Sequence, residues 1–142
     1  MPEIEALIRE FQRRQKAGEN EAMVDMYAED GVRVAAGKET RGRHALTQFY
    51  VSMRAGVRAH DRRIERVLVA GPAAGVLQFV EDVTHYGPAP SPYGEIAPSG
   101  QRFDVHGAAI FDFEGDKIAS IHTYSDGMFQ MLARSMFAPR KG

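Results

Sequence analysis

Phe103-Asp104-Val105-His106-Gly107-Ala108-Ala109-Ile110-Phe111-Asp112-Phe113 is the stretch that decides the fold. Its apolar residues recur with a period of two, the signature of a strand with one buried face. Phe103, Val105, Gly107, Ala109, Phe111 and Phe113 form one face, and Asp104, His106, Ala108, Ile110 and Asp112 form the other. Glu114-Gly115-Asp116 reads as a hairpin turn, with Lys117 to Tyr124 returning as the antiparallel partner.

Two more strand-like runs lie upstream. Ile64, Val67 and Val69 precede the turn at Gly71-Pro72, and Val76 to Tyr86 is rich in β-branched and aromatic residues. From Gly87 to Gly100 the chain carries four of its seven prolines, so this segment is no central strand and reads as a long loop, a lid or an insertion.

The N-terminal third has helical spacing instead. Ile4, Leu7, Ile8 and Phe11 make one apolar stripe, stopped by Gly18. Asn20 is placed to cap a short second helix bearing Met23, Met26 and Tyr27. Asp30-Gly31 reads as a turn, Val32-Arg33-Val34 as a short strand and Gly37 to Gly42 as polar loop. Leu46, Phe49, Tyr50, Met53 and Val57 give a third helix ending near Gly56. Asp126 is read as the cap of a last helix with the stripe Phe129, Leu132, Ala133 and Met136, stopped by Pro139.

Helices followed by long strands imply an α+β domain, with the helices packed on one face of a curved antiparallel or mixed sheet. A bent sheet under helices leaves a cone-shaped pocket for a small ligand. The whole chain, residues 1–142, reads as one domain with its core between about residues 4 and 137. Lys plus Arg number 18 against 19 for Asp plus Glu, a balance that gives no footprint for nucleic acid. The chain has no cysteine, which excludes disulfides and thiolate nucleophiles. Its opening residues predict no secretory leader, and no apolar run predicts a membrane span, so the expected location is the cytoplasm. No H-x-H or H-E-x-x-H spacing suggests a metal site.

Several short motifs, in order, carry a family resemblance. They are Tyr27-Ala28-Glu29-Asp30-Gly31, Gly42-Arg43-His44-Ala45-Leu46, Val83-Thr84-His85-Tyr86-Gly87, and Gly115-Asp116-Lys117-Ile118 leading to Tyr124-Ser125-Asp126. Over nearly the whole chain this order resembles the nuclear-transport-factor-2-like superfamily, and within it the SnoaL-like polyketide cyclase group. The resemblance implies a cone-shaped pocket, usually a homodimer, and members that include cyclases, ketosteroid isomerases, dehydratases, epoxide hydrolases and non-catalytic binders. It implies an acid on the last strand, but that position is Thr123 here, and the cyclases' histidine on the preceding strand falls near Ala109.

With those groups missing, Asp82 is the candidate catalytic acid or base, since Asp82, Thr84 and Tyr86 alternate on one strand face. The other parity directs Glu81, Val83 and His85 inward, and the sequence leaves both open. Arg33, between Val32 and Val34, is nominated as the partner of a buried Asp82. Arg33 and Thr123 are expected to orient a ligand oxygen, with Thr84 in the same space. Tyr27, Phe49, Tyr50, Met53 and Val105 are the expected apolar contacts. His106 and His122 fall on the outer face beside Ile110, where a homodimer interface is expected. The function expected is a small-molecule pocket protein acting on a hydrophobic ligand without cofactor or metal, by cyclase-, isomerase- or dehydratase-type proton transfer; the alternative is a non-catalytic binding or assembly domain of the same fold.

Overall fold

The computed structural model describes residues 3–137, so the expected stop at Pro139 lies outside the described residues. At its centre is the hairpin of β7 (Arg102–Glu114) and β8 (Lys117–Ser125), paired antiparallel from Gly107 opposite Ser125 to Glu114 opposite Lys117. Gly115 takes φ 62° in the two-residue turn, the left-handed region that glycine enters at little cost. β4 (Ala74–His85) pairs antiparallel with β7, and β3 (Val57–Val69) with β4. β1 (Tyr27–Ala35) pairs in parallel with β8 and antiparallel with β2 (Lys38–Arg41). The six-stranded sheet therefore runs β2-β1-β8-β7-β4-β3 and is mixed.

Helices α1 (Ile4–Ala17), α2 (Asn20–Val24) and α3 (Arg43–Gly56) supply the layer above it. α1 lies against β3 and β4, and α3 against β1, β2 and β3. Gly18, at φ 78°, ends α1. Ile4, Ile8 and Phe11 of α1 meet Leu77, Phe79 and Phe111 of the sheet in the main core. The Phe11 and Phe111 rings cross edge to face at 5.5 Å. Phe111 is wholly buried, and removing such a side chain from water contributes about 2 kcal/mol. A second core cluster joins Val83, Phe103, Ala89, Ile96 and Met131.

Local details correct several expectations. Tyr27 opens β1 instead of closing a helix, and Asp30-Gly31 lies within that strand, where its pairing with β8 is irregular. Residues 38–41, read as loop, form β2. Asn20 is the first helical residue rather than the cap, and its Oδ1 is buried without a partner among the described residues. The proline-rich segment contains a two-stranded ribbon, β5 (Ala89–Ser91) with β6 (Gly94–Ile96), outside the main sheet. The last helix, α4 (Gly127–Phe137), buries Gly127 and Met131, while Phe129 and Met136 of the expected apolar stripe face outward. Asp126 gives its backbone carbonyl to the Gln130 N–H, but its side chain accepts from the His106 N–H instead of capping the helix. No described helix is long and apolar enough to cross a membrane.

Candidate functional site

Between the helical layer and the sheet lies a cavity of about 440 Å³, lined by α1, α3, α4, the β5–β6 ribbon and the inner sheet face. Its floor is apolar because β7 turns Phe103, Val105, Ala109 and Phe111 inward, and β8 adds Ile121 and Thr123 on the same face. This is the inner face expected from the alternation of residues 103–113.

On β4 the inward parity belongs to Leu77, Phe79, Glu81 and Val83. The largest apolar side chains set it: Leu77 and Phe79 must be buried, and strand geometry then carries Glu81 inward with them. Asp82 consequently faces outward, where Arg102 on the neighbouring strand grips its carboxylate with two hydrogen bonds of 2.9 and 2.7 Å. That grip holds the Asp82 carboxyl below its ordinary range, so it stays ionised on the surface. Thr84 shares this face and bonds the His60 Nε2 at 2.7 Å. The expected ion pair between Asp82 and Arg33 does not form, and neither Asp82 nor Thr84 reaches the cavity.

The residue that β4 turns into the cavity in place of Asp82 is Glu81. Arg62 stands directly opposite it on β3, and the Arg62 Nη1 donates to the Glu81 Oε2 at 2.8 Å. Glu81 Oε1 has no partner among the described residues. Arg62 is further held by the Gln12 Oε1 on α1 at 2.5 Å and lies over the Phe79 ring at 3.9 Å from its centroid. Side-chain exposure is 9% for Arg62 and 20% for Glu81, so the pair is screened from solvent but reachable from the cavity. Among the described lining residues the only other carboxylate is Asp61, paired with Lys16 at 2.8 Å.

A second polar group lies toward the β1 end. Tyr50 of α3 lines the cavity, and its hydroxyl is 2.8 Å from that of Tyr27. Tyr27 itself is core, behind Tyr50, and does not line the cavity. Burial, reinforced by the Tyr50 hydroxyl, pushes the Tyr27 hydroxyl well above the usual range, so it stays protonated. Arg33 reaches the cavity with its guanidinium 4.2 Å from the centre of the Phe49 ring. Of the residues singled out in the sequence, Arg33, Phe49, Tyr50, Met53, Val105 and Thr123 line the cavity, whereas Asp82, Thr84 and Tyr27 do not.

Glu81 was left open by sequence reasoning, and Arg62 and Gln12 were missed. Arg62-Arg63 looks like a solvated basic pair, but Arg62 lies two residues before Ile64 on one strand face, and Ile64 packs on the core. Gln12 follows Phe11 on α1 and is 5% exposed; a polar residue beside an apolar stripe gives no signal of its own.

A family model for the SnoaL-like domain matches residues 5–121. Among solved structures, a protein from Jannaschia sp. CCS1 described as a SnoaL-like polyketide cyclase superposes with TM-score 0.75, at 20% identity, covering 99% of this chain and 98% of that one. A protein from Xanthomonas campestris pv. campestris described as a polyketide cyclase gives TM-score 0.73 at 19% identity, covering 92% and 94%. An LEH-like epoxide hydrolase from M. tuberculosis gives 0.67 at 17% identity, covering 94% and 91%. At these identities the structures speak for the fold and not for a shared reaction. Comparison with curated proteins found no significant match. With the family model spanning most of the chain and the fold agreeing, this protein belongs to the SnoaL-like domain family.

Proposed function

We propose that the cavity binds an apolar small molecule bearing a carbonyl group and that Glu81 moves a proton on it, without a cofactor. The observation that carries this reading is the Glu81 carboxylate, set in the cavity wall beside the apolar floor of Phe103, Val105 and Phe111, with Oε1 unpaired among the described residues and Oε2 held by Arg62. Arg62 favours the ionised form, which suits a base more than an acid. In the step that fits, Glu81 Oε1 takes a proton from the carbon next to the carbonyl. The C–H electron pair passes into the carbonyl, giving the enolate. Returning the proton to a different carbon is an isomerisation; attack of the enolate carbon on a second carbonyl is a cyclisation.

A homodimer belongs to the same reading, supported by exposed Ile110 and Tyr124 on the outer sheet face and exposed Phe129 and Met136 on α4. The second reading, a non-catalytic binder, draws support from the same ion pair, because a carboxylate shared with a guanidinium is a weaker base. One experiment separates the two. Exchange of the α-protons of 2-tetralone in heavy water, followed by NMR, is expected to run faster with the protein than in buffer and to fall to background in Glu81→Gln. Binding of 2-tetralone with no acceleration of exchange would favour the binder.

A further inference from the structure

The walls of the cavity carry an uneven charge. Six of the lining residues are Lys or Arg, namely Lys16, Arg33, Lys38, Arg54, Arg58 and Arg62, against only Asp61 and Glu81. This excess sits in a chain whose overall formal charge is −1. Both carboxylates are already engaged, by Lys16 and Arg62. Most of the cations have a protein acceptor or lie near solvent: Arg54 donates to the Gln15 carbonyl, and Arg58 is exposed.

Arg33 is different. It is half-buried on β1, with Thr40 opposite it on β2 and Ile121 opposite it on β8. Its guanidinium is stacked on Phe49 and makes no hydrogen bond or ion pair among the described residues. A guanidinium has five N–H donors and keeps its charge, so withdrawing it from water without an acceptor is costly. The contact with Phe49 holds the group at the cavity wall, and its N–H groups have no acceptor among the described residues. Thr40, 8% exposed, shares the strand face and adds a hydroxyl beside it.

We propose that the ligand carries an anionic oxygen group, a carboxylate or its close equivalent, which pairs with Arg33 at the wall of the cavity away from Glu81. This deepens the reading of the cavity as a small-molecule site and rests on it. In the sheet order, β8 and β7 separate β1 from β4, three inter-strand steps or about 14 Å along the sheet. The ligand is therefore an amphipathic acid: an anionic end at Arg33, an apolar body over Phe111 and Ile121, and the reacting carbon near Glu81. The positive excess also draws such an acid toward the mouth.

The test uses two fluorescent probes that share a skeleton and differ in one charged group, 1-anilinonaphthalene-8-sulfonate and the neutral N-phenyl-1-naphthylamine. Both are titrated into wild type, Arg33→Met, Arg33→Lys and Arg58→Met. Wild type is expected to bind the sulfonate about tenfold more tightly than the neutral probe, and Arg33→Met to erase that preference while neutral-probe affinity stays within about twofold. Arg33→Lys keeps part of the preference, because it keeps the charge but loses the fork, and Arg58→Met keeps it all. Equal affinities in wild type, a preference that survives Arg33→Met, or an equal loss in Arg58→Met would each overturn the anchor while leaving the cavity reading intact. Binding of neither probe would overturn the cavity reading and the anchor with it.

Discussion

Arg62 and Glu81 face one another across β3 and β4, joined at 2.8 Å and roofed by Gln12. With so little of either side chain exposed, removing one partner leaves the other charge poorly solvated. We predict that Arg62→Met lowers stability by about 2 kcal/mol, less than the 3–5 typical of fully buried pairs because Glu81 keeps some access to water. The double variant Arg62→Met/Glu81→Leu is expected to recover most of that loss. Urea unfolding of the three proteins checks this, and a double variant no better than the single one would show that the pair does more than cancel its own charges.

His85 sets a pH dependence of stability. It is wholly buried, its Nδ1 accepts the Ser99 N–H at 3.3 Å, and its Nε2 has no hydrogen-bond partner among the described residues. Burial pushes the imidazole below its ordinary 6.5, outweighing the opposite pull of the Ile96 and Gly87 backbone. Because the native affinity for a proton is the lower one, the unfolded chain takes up the proton first as pH falls. The fold is therefore fully stable above about 6.5 and loses stability as pH drops from there toward the lowered native value. Urea midpoints measured across this window should fall with acidity, and His85→Asn should flatten the slope.

The end of α3 is stapled to the segment after β4. The N–H groups of Tyr86 and Gly87 both donate to the Gly56 carbonyl, and a Cβ on Gly56 would stand 2.2 Å from the Pro88 oxygen. Backbone cannot yield as a flexible side chain can, so Gly56→Ala is expected to cost about 2 kcal/mol or more. It should also loosen the β5–β6 ribbon, seen as faster amide exchange in residues 88–98. An unchanged unfolding midpoint would contradict this packing.

The outer face is predicted to pair with a second copy. Ile110 opposite His122, with Tyr124, Phe129 and Met136 nearby in the chain and exposed, makes a mixed surface of the kind found in dimer interfaces. Light scattering at micromolar concentration should give twice the chain mass, and Ile110→Lys should shift it toward the monomer. Monomer mass for the wild type across that range would refute the pairing.

The fold was largely legible because the period-two pattern of residues 103–113 and the helical stripe from Ile4 to Phe11 both report burial, which those side chains impose. The candidate site was legible only in part. β7 carries its inward residues as its alternation implies, and Arg33 of β1 and Thr123 of β8 line the cavity, but an irregular register with β7 turns Ile118 of β8 into the core; β4 offers polar residues on both faces, and the burial of Leu77 and Phe79 decides for Glu81 over Asp82. Arg62 was hidden because its partners, Gln12 and Glu81, come from α1 and β4, contacts that no local pattern encodes. On α4 the exposed Phe129 and Met136 form a better apolar stripe than the buried Met131, so amphipathicity pointed to the wrong side.

β4 turns Glu81 into the cavity and Asp82 away from it. The absence of cysteine from the chain allows a direct test, with Glu81→Cys and Asp82→Cys each placing one thiol in the protein. The labelling rate of each is measured with a water-soluble disulfide reagent, with and without saturating N-phenyl-1-naphthylamine. The account predicts that the occupant slows labelling of the Glu81→Cys protein and leaves the Asp82→Cys protein unchanged; protection of Asp82→Cys instead would contradict it.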